Sequence, residues 1–403
     1  MTSKVKINQM LLNYLAFGSS CISSTSDHVY FYKSYGVKWP ASTENNTIKL
    51  QDNASSNWRF KIHSHVYEHK ALHKRFFDFF RNIKDTSAAV KNIVMTLENK
   101  PRSNKQIHVR IVKSESYQNG FQPFIEFNQR CPLYKTLEDQ CPVNNLQPGD
   151  ITLPNTNDIG HSDAVISIAN NVEHNGKLTY KLLNKNCAIG ETYLINPTGI
   201  TIITDIDDTI RDSDVLSTSA FFRNTFRNIP FKPIRGMPEL FQKWNKELKY
   251  PAFHYVSGVP WQWNSLYEPF YKDFKFPEGP TAYQDLKFSK IFRFVNVQAF
   301  KTRSINTIIS DFPDRKFLLL GDSGQYDPEV YASVYHKNPK NVLCIWIIRA
   351  TTKSKLIGKI KAKLKNKSSR FEKAFKDIPN NKWFVFDNAD QIKDIPFQDG
   401  RCK

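Results

Sequence analysis

The sequence predicts a β-rich amino-terminal domain followed by an α/β domain with a doubly wound parallel sheet. At 403 residues the chain exceeds one typical hydrophobic core, so two domains are expected. Short apolar segments that alternate with polar residues dominate residues 26–198, as in half-buried strands. Unbroken apolar runs separated by helix-length segments occupy residues 199–403, as in strands covered on both faces.

The composition indicates a folded protein with an anionic partner. Hydrophobic residues make up 40% of the chain, and its 30 Phe and 17 Tyr argue against disorder. The formal net charge of +19 favours nucleic acid, phosphorylated molecules or an anionic bilayer surface as partners. No nucleic-acid-binding motif accompanies this charge, so nucleic acid is not expected.

The first element in order is a leader, residues 1–25. Its apolar stretch Met10–Gly18 follows two lysines and resembles a weak signal peptide. Secretion would allow a disulfide between Cys131 and Cys141, because redox compartment decides whether such a pair is oxidised. Cys344 lies inside an apolar run and is predicted to be a buried free thiol.

The β-rich domain follows. Its period-two segments are Trp58–Ile62, Ile107–Val112, Asp163–Ile168 and Leu178–Leu183. An antiparallel sandwich or an open barrel is the simplest arrangement of such strands. One helix is predicted from Tyr67 to about Ile83, where apolar residues recur at helical spacing.

The second domain begins where the pattern changes. Its apolar runs are Ile200–Thr204, Phe253–Val256, Lys316–Leu320 and Val342–Ile348. Such runs, each followed by a helix-length segment, predict parallel strands joined by crossover helices. In open α/β sheets ligands bind beyond the carboxyl ends of the strands. The residues that directly follow these runs are therefore the candidates for chemistry.

Two carboxylates, Asp205 and Asp207, directly follow the first of these runs. With one residue between them, Asp205 can approach a phosphorus atom while Asp207 reaches the leaving-group oxygen. An acidic turn that caps the next helix is the structural alternative for this motif taken alone.

A second acidic loop, Gly321–Asp327, follows another buried run and opens on the same predicted edge. Magnesium prefers oxygen ligands and takes few of them from protein. Asp205 and Asp322 fit as direct ligands together with the main-chain carbonyl of Asp207, whereas Asp327 is placed either to ligate or to orient.

A hydroxyl and an ammonium group complete the set. Ser257 ends the strand Phe253–Val256, and Lys301 precedes the second acidic loop. Such groups can hold transferring phosphoryl oxygens and offset the negative charge of the carboxylates. Taken singly, each would be an ordinary exposed residue.

In this order the set resembles the signature motifs of the haloacid dehalogenase superfamily. The resemblance implies that Asp205 forms an aspartyl-phosphate and that Asp207 protonates the leaving group and then activates water. It also implies that Thr209 supports the loop beside the phosphate, which Ser257 and Lys301 bind, and that Mg²⁺ is the cofactor.

Longer phrases resemble the fungal actin-patch-associated phosphatidate phosphatase family. They are Thr204–Arg211, Phe253–Trp261, Phe276–Pro280 and Lys316–Tyr331. The resemblance implies a phosphatidate phosphatase that converts phosphatidic acid, or a related lipid phosphomonoester, to diacylglycerol and phosphate. Gln325 and Val259 depart from the residues that are common in the family, which bears on head-group or acyl selectivity and not on hydrolysis.

The segment Lys353–Lys376 carries ten Lys or Arg against one acid, Glu372. Leu356, Ile360 and Leu364 recur every fourth residue, so a helix here would have one apolar face. Such a helix suits an anionic membrane surface and a cytoplasmic, peripherally membrane-associated protein. The alternative is a helix packed on the sheet with solvated lysines.

The segment Arg211–Met237 lies where this superfamily inserts a flap over the active site. Its apolar residues are Phe221, Phe222, Phe226, Ile229 and Phe231. These side chains either close the site against water and touch acyl chains or belong to an ordinary core.

Two other functions remain open. One keeps the chemistry and changes the substrate to a soluble phosphomonoester or a phosphoprotein. The other is a membrane- or actin-associated adaptor with a degenerate catalytic domain, although every expected catalytic side chain is present.

Overall fold

The computed structural model describes residues 27–39, 48–49, 57–69, 99–117, 150–169, 175–183, 188–226, 230–285, 296–353 and 356–403. The predicted leader and both Cys131 and Cys141 lie outside the described residues. No helix in the described ranges is long and apolar enough to cross a membrane.

Sixteen strands and seven α-helices are present in these ranges. The strands are β1 (Asp27–Phe31), β2 (Ser34–Trp39), β3 (Ile48–Lys49), β4 (Asn57–His69), β5 (Asn99–Pro101), β6 (Ile107–Tyr117), β7 (Ile151–Leu153), β8 (His161–Ala169), β9 (Asn175–Leu182), β10 (Ile189–Leu194), β11 (Gly199–Thr204), β12 (Ala252–Pro260), β13 (Thr281–Gln284), β14 (Arg315–Asp322), β15 (Val342–Ile348) and β16 (Trp383–Phe386). The helices are α1 (Thr218–Phe226), α2 (Met237–Glu247), α3 (Asn264–Asp273), α4 (Val297–Asp311), α5 (Asp327–Lys337), α6 (Leu356–Lys365) and α7 (Ser368–Ala374).

The chain divides into two compact units. The amino-terminal unit takes the described residues of ranges 1–116 and 125–195 together with 262–269. The carboxyl-terminal unit takes Tyr117 and the described residues of 196–261 and 270–403.

The amino-terminal unit contains one mixed sheet of ten strands, β1 to β10. Most pairs are antiparallel, but β2 pairs in parallel with β10, and β3 pairs in parallel with β8. The predicted β-rich character is therefore confirmed, but the expectation that all of its strands run antiparallel is wrong. Alternation along a sequence indicates which residues face the core, but it does not determine which strands pair or how they run.

The period-two pattern itself is confirmed along β4. Trp58, Phe60 and Ile62 are buried in the core of this sheet, whereas Arg59 is half-buried and Lys61 is exposed. The predicted helix starting at Tyr67 is wrong at its start, because Tyr67 pairs with Pro101 as part of β4. The rest of that predicted helix lies outside the described residues.

A half-buried carboxylate in β10, Glu191, is expected to make the stability of this unit depend on pH. Glu191 lies 3.3 Å from the Nζ of Lys33 and 3.5 Å from that of Lys177, and the Tyr193 hydroxyl donates to it at 3.2 Å. Burial alone raises the pKa of Glu191, but the two ammonium groups outweigh it and lower the pKa to about 2 from the ordinary 4.5. The ionised form is therefore favoured by folding.

We expect Glu191→Gln to remove an acid-dependent part of the stability. A lowered carboxyl pKa stabilises the fold above pH 4.5, and this contribution is lost as the pH falls through about 2. Its size is about 3 kcal/mol by linkage. Thermal unfolding at pH 7, 4 and 2 should show a steeper loss for the parent protein than for Glu191→Gln. Parallel curves would contradict this assignment.

The carboxyl-terminal unit is built on a parallel sheet in the order β13-β12-β11-β14-β15-β16. All five neighbouring pairs run parallel, so the predicted α/β class with a parallel sheet is confirmed. The chain runs from β11 outward through β12 to β13 and then returns to β14 on the other side of β11. The strand order therefore reverses between β11 and β14, and ligands bind at such switch points.

Two edge strands of this sheet were not predicted. β13 and β16 have four residues each, and β16 is mostly half-buried. β13 begins and ends with the polar residues Thr281 and Gln284, so it shows no apolar run. β16 is apolar throughout but has only four residues, and periodicity does not distinguish so short a run from part of a buried helix.

Cys344 is not the free thiol that its apolar surroundings predicted. It forms a disulfide with Cys402, which joins β15 to the carboxyl terminus of the chain. The carbonyl of Cys402 also accepts a hydrogen bond from the Trp346 indole at 2.8 Å. The two cysteines are 58 residues apart in sequence, so only the tertiary structure reveals the pairing.

The basic segment forms two helices, α6 and α7, and not one continuous helix. α6 ends at Lys365 and α7 begins at Ser368. Phe371 on α7 is buried, whereas Ile360 and Leu364 on α6 are exposed. α7 therefore packs against the unit through Phe371, whereas α6 presents Ile360 and Leu364 to solvent.

Candidate active site

Asp205 directly follows β11, where the backbone is held by the neighbouring strand. Its N–H donates to the carbonyl of Leu320 on β14 at 2.9 Å, and its side chain is 2% exposed. The chain then turns tightly, because the N–H groups of Ile210 and Arg211 both donate to the carbonyl of Ile206 at 3.0 Å. This turn places the acidic motif at the carboxyl edge of the sheet, beside the switch point.

Asp208 holds the next part of this loop and was not singled out from the sequence. Its φ of 58° is in the left-handed region, which aspartate tolerates better than most residues. Its carboxylate accepts hydrogen bonds of 2.7 to 2.9 Å from the N–H groups of Ser213, Asp214 and Val215 and from the Ser213 hydroxyl. Burial raises the pKa of Asp208 to about 6 despite these bonds. The third acid of the motif therefore shapes the loop.

Lys301 on α4 joins two carboxylates. Its Nζ lies 2.7 Å from Oδ1 of Asp205 and 2.6 Å from Oδ1 of Asp327, and all three side chains are buried. Burial opposes the charge on Lys301, but the neighbouring carboxylates raise its pKa above the ordinary value. The ammonium group is therefore charged and fixed between the two acidic loops.

Asp322 ends β14 on the other side of the switch point. The N–H groups of Gly324 and Gln325 donate to its Oδ1 at 2.5 and 3.2 Å, and its own N–H donates to Oδ2 of Asp327 at 3.1 Å. A Cβ at Gly321 would overlap the Asp327 carboxylate, so glycine is required for this close approach. The loop thus sets two carboxylates against the end of the strand.

The site combines buried carboxylates in a way that favours a cation. Oxygens of Asp205, Asp322 and Asp327 lie within 4.8 Å of one another. Burial raises the pKa of Asp205 to about 8 and that of Asp322 well above its usual range, and the neighbouring carboxylates add to both shifts. Oδ2 of Asp322 is buried and has no hydrogen-bond partner within the described part of the chain. An unpartnered carboxylate oxygen among like charges fits a metal ligand.

The remaining predicted residues lie around this cluster. Thr209 is buried and its hydroxyl donates to Oδ2 of Asp205 at 3.5 Å, a long bond. Ser257 is also buried, and its Oγ accepts from the N–H of Val259 at 3.3 Å. The strand that carries Ser257 does not end there as predicted but continues to Pro260, with an irregular register between Ser257 and Pro260. Such irregularities redirect side chains next to functional sites.

Asp207 is paired with a residue that sequence analysis did not single out. Arg211 donates from Nη1 to Oδ1 of Asp207, and both side chains are buried. Its place four residues after Asp207 was a possible signal, but this spacing predicts a pair only within a helix, and the segment here is a turn.

A cavity of about 1230 Å³ adjoins the cluster within the carboxyl-terminal unit. Both Asp207 and Ser257 line it, as do Val259 and Gln325, the two positions that depart from the family pattern. A polar strip from α4 forms another wall, lined by Gln298, Thr302, Arg303, Asn306, Thr307 and Ser310. Asp207, the candidate general acid, and Ser257, the candidate phosphate-binding residue, therefore both line a space large enough for a substrate.

The predicted flap contains helix α1. Phe221 on this helix is buried and lines the cavity, whereas Phe226 and Phe231 are buried and do not line it. Ile229 lies outside the described residues. The segment thus contributes one aromatic side chain to the cavity wall and two to the interior.

Comparisons with known proteins match the part of the chain that contains the candidate site. The family described as "Phosphatidate phosphatase APP1, catalytic domain" matches residues 200–350. The phosphatidate phosphatase APP1 of Saccharomyces cerevisiae is 35% identical over 167 residues, 40% of this chain and 28% of that protein. An uncharacterized protein of Schizosaccharomyces pombe is 29% identical over 163 residues, 40% of this chain and 26% of that protein. The chain thus spans less than a third of either relative's length.

Among solved structures, a sialyltransferase from Photobacterium damsela superposes with a TM-score of 0.19 and 8% identity. The superposition covers 61% of this chain and 41% of that one, and the score is too low to indicate a shared fold. The segment that the sequence comparisons match includes the motifs at the ends of β11, β12 and β14. Residues 200–350 of this chain are thus similar to the catalytic domain of phosphatidate phosphatase APP1.

Proposed function

We propose that this chain is a phosphoric monoester hydrolase that removes phosphate from phosphatidic acid or a related lipid phosphomonoester. One observation carries the proposal: Lys301 joins Asp205 and Asp327 beside Asp322, within the segment that matches the phosphatidate phosphatase family. The same arrangement supports a haloacid-dehalogenase-like catalytic unit, in which the nucleophile follows the central strand.

Asp205 is the proposed nucleophile. One of its carboxylate oxygens attacks the substrate phosphorus, the bond to the leaving oxygen breaks, and an aspartyl-phosphate forms. Lys301 and Ser257 hold the phosphoryl oxygens and offset their charge, while Thr209 keeps the Asp205 carboxylate in place through its hydroxyl.

Asp207 is the proposed general acid and base. It gives a proton to the leaving alkoxide in the first step and takes one from water in the second. Attack of that water on phosphorus breaks the bond to Asp205 and releases inorganic phosphate. Because Asp207 lines the cavity, it is accessible to a substrate bound there.

The carboxylate cluster fits a magnesium ion. Asp205 and Asp322 would hold it through side-chain oxygens, with the main-chain carbonyl of Asp207. An orienting role suits Asp327 better, because its Oδ1 contacts Lys301 and its Oδ2 accepts from Asp322 N–H. When bound, Mg²⁺ would neutralise charge on the phosphoryl oxygens.

Phosphate release by the purified chain tests the proposal. Phosphatidic acid in mixed micelles and 4-nitrophenyl phosphate should be assayed side by side, each with Mg²⁺ and with excess chelator. We expect release from both substrates, a clear preference for the lipid, loss with chelator and recovery with Mg²⁺. Release from the aryl ester alone would favour a phosphatase of soluble monoesters, which the polar α4 wall of the cavity would suit. No release from either would favour a non-catalytic adaptor.

A further inference from the structure

Helix α6 presents an apolar pair among exposed lysines. Ile360 and Leu364 are 51% and 52% exposed and lie one helical turn apart. Lys359 and Lys363 on the same helix are also exposed. Large apolar side chains at this level of exposure on a soluble surface indicate a binding face when they occur together.

The apolar pair lies close to the cavity rim. Tyr326, 52% exposed, sits under the Lys365 ammonium, which is 5.0 Å from the ring centroid. The same Nζ is 3.4 Å from the carbonyl of Gln325. Tyr326, Gln325 and Lys365 all line the cavity that contains Asp207. The last turn of α6 is thus continuous with the mouth of the candidate active site.

The segment that carries this face is strongly basic, although Lys353 pairs with Asp212 and Arg370 pairs with Glu329. Between Lys353 and Lys376 there are ten Lys or Arg and the single acid Glu372. Basic side chains that surround a few apolar ones match a surface with anionic groups above an apolar interior. An acidic protein partner would match the charge but would leave the half-exposed Ile360 and Leu364 without a counterpart.

We propose that a docking surface formed by Tyr326, Lys359, Ile360, Lys363 and Leu364 binds an anionic lipid bilayer. The apolar side chains enter the headgroup region and the lysines contact anionic headgroups, which brings the cavity rim to the membrane. The catalytic consequence rests on the proposed function, whereas the binding itself does not.

Co-sedimentation with vesicles tests the binding without the chemistry. Phosphatidylcholine vesicles with and without phosphatidylserine should be used, because phosphatidylserine is anionic but is a phosphodiester and not a phosphomonoester. We expect salt-sensitive binding to the anionic vesicles only. The double variants Ile360→Ser/Leu364→Ser and Lys359→Gln/Lys363→Gln should each bind about tenfold or more weakly. Turnover of 4-nitrophenyl phosphate should be unchanged in both.

Two control variants test whether vesicle binding depends on this face or only on the overall charge or hydrophobicity of the protein. Ile159→Ser removes an equally exposed apolar side chain from the amino-terminal unit, and Lys246→Gln/Lys249→Gln removes two exposed charges near the end of α2. Both should bind like the parent. Undiminished binding by the α6 variants, or self-association in place of vesicle binding, overturns the proposal. Intact vesicle binding without any phosphate release would instead contradict only the proposed function.

A second inference comes from the contacts of Arg211, which is fully buried. Besides its pair with Asp207, its Nη2 donates at 3.1 Å to the carbonyl of Asn224 and at 3.1 Å to the hydroxyl of Thr225, both on α1. The guanidinium carbon lies 3.7 Å from the centroid of the Phe231 ring. One side chain therefore connects the proposed general acid to the helix and the aromatic residue of the flap segment.

We infer that Arg211 is a positioning residue for Asp207. Because Nη2 donates to α1 and the face of the guanidinium packs on Phe231, Nη1 is directed at the Asp207 carboxylate and orients it. Arg211 contacts the carboxylate of the proposed general acid, so it acts on the proton transfer through Asp207. This inference rests on the proposed role of Asp207 in phosphomonoester hydrolysis.

The leaving group provides the test. An alkyl phosphomonoester needs a proton on its leaving oxygen, whereas 4-nitrophenolate departs readily without one. For Arg211→Met we expect kcat for an alkyl ester to fall about 100-fold and kcat for 4-nitrophenyl phosphate to fall less than about fivefold. Arg211→Lys should recover part of the alkyl ester activity.

A less disruptive substitution tests the same inference if Arg211→Met does not fold. Thr225→Val removes one acceptor of Arg211 and leaves Asp207 and Arg211 in place. We expect the same selective loss for the alkyl ester, several-fold in size. Equal losses for both esters in a folded variant overturn the inference. A parent protein that hydrolyses neither ester contradicts the proposed function itself.

Discussion

Asp205→Asn is expected to reduce phosphate release by about 10³-fold or more, because asparagine is nearly isosteric with aspartate but is a poor nucleophile. The amide still fits among the same neighbours, so substrate binding and the cavity should change little. Initial rates with phosphatidic acid and 4-nitrophenyl phosphate should fall together, since the nucleophile serves both substrates. A selective loss with only one ester would indicate a role in substrate choice.

The same substitution should leave the fold intact. Burial raises the pKa of Asp205 to about 8, with Asp327 and Asp207 adding to the shift and Lys301 opposing it. The substituted amide is neutral and so suits a position where burial disfavours the charged form of aspartate, and Lys301 would keep its contact with Asp327. We therefore expect an unfolding temperature equal to or above that of the parent in metal-free buffer.

Asp208→Asn is the matched control for Asp205→Asn. Asp208 is a buried acid in the same turn, but its carboxylate accepts loop hydrogen bonds and does not join the Lys301 cluster. Asparagine tolerates its left-handed backbone but loses at least one acceptor bond, so the unfolding free energy should fall by about 1–3 kcal/mol. Activity should persist in the folded fraction. Retained turnover by Asp205→Asn would remove Asp205 from the nucleophile's role.

The location of the candidate site was predictable from the sequence, and the reason is topological. Asp205 and Asp322 follow two buried apolar runs, and the carboxyl ends of parallel strands meet at one edge. The structure adds that β11 and β14 are direct neighbours at the switch point, which the order of motifs along the chain does not show. This adjacency, with Lys301 from α4, brings the carboxylates within reach of one ion.

Other features of the structure could not be predicted, because they depend on tertiary contacts that leave no local pattern in the sequence. The pair of Asp207 with Arg211 needs a turn that folds the chain back, and the disulfide of Cys344 with Cys402 needs the carboxyl terminus to reach β15. In the amino-terminal unit, alternation identified the buried face of β4 but not the parallel pairing of other strands. Periodicity reports burial, whereas pairing and direction are set by the whole chain.

A buried arginine holds together the end of the parallel sheet that lies opposite the candidate site. Arg315, the first residue of β14, is fully buried, and its guanidinium donates to five acceptors at 2.6 Å. The acceptors are the Thr201 hydroxyl and the carbonyls of Asn196, Thr198, Ile200 and Tyr250. Among the residues that the structure describes, no carboxylate pairs with it, and burial lowers the pKa of Arg315 to about 9.

Arg315→Met should therefore lower the unfolding free energy by about 4 kcal/mol or more, since each buried acceptor left unpaired costs about 1–3 kcal/mol. Arg315→Lys should lie between this variant and the parent, because an ammonium offers three donors for five acceptors. Urea unfolding measures both. Arg315 pairs with Gly199 at the start of β11. Asp205 directly follows β11 and Asp322 ends β14, so a lost register between these strands should also reduce phosphate release. A stability within about 1 kcal/mol of the parent would show that the five contacts do not hold these strands in register.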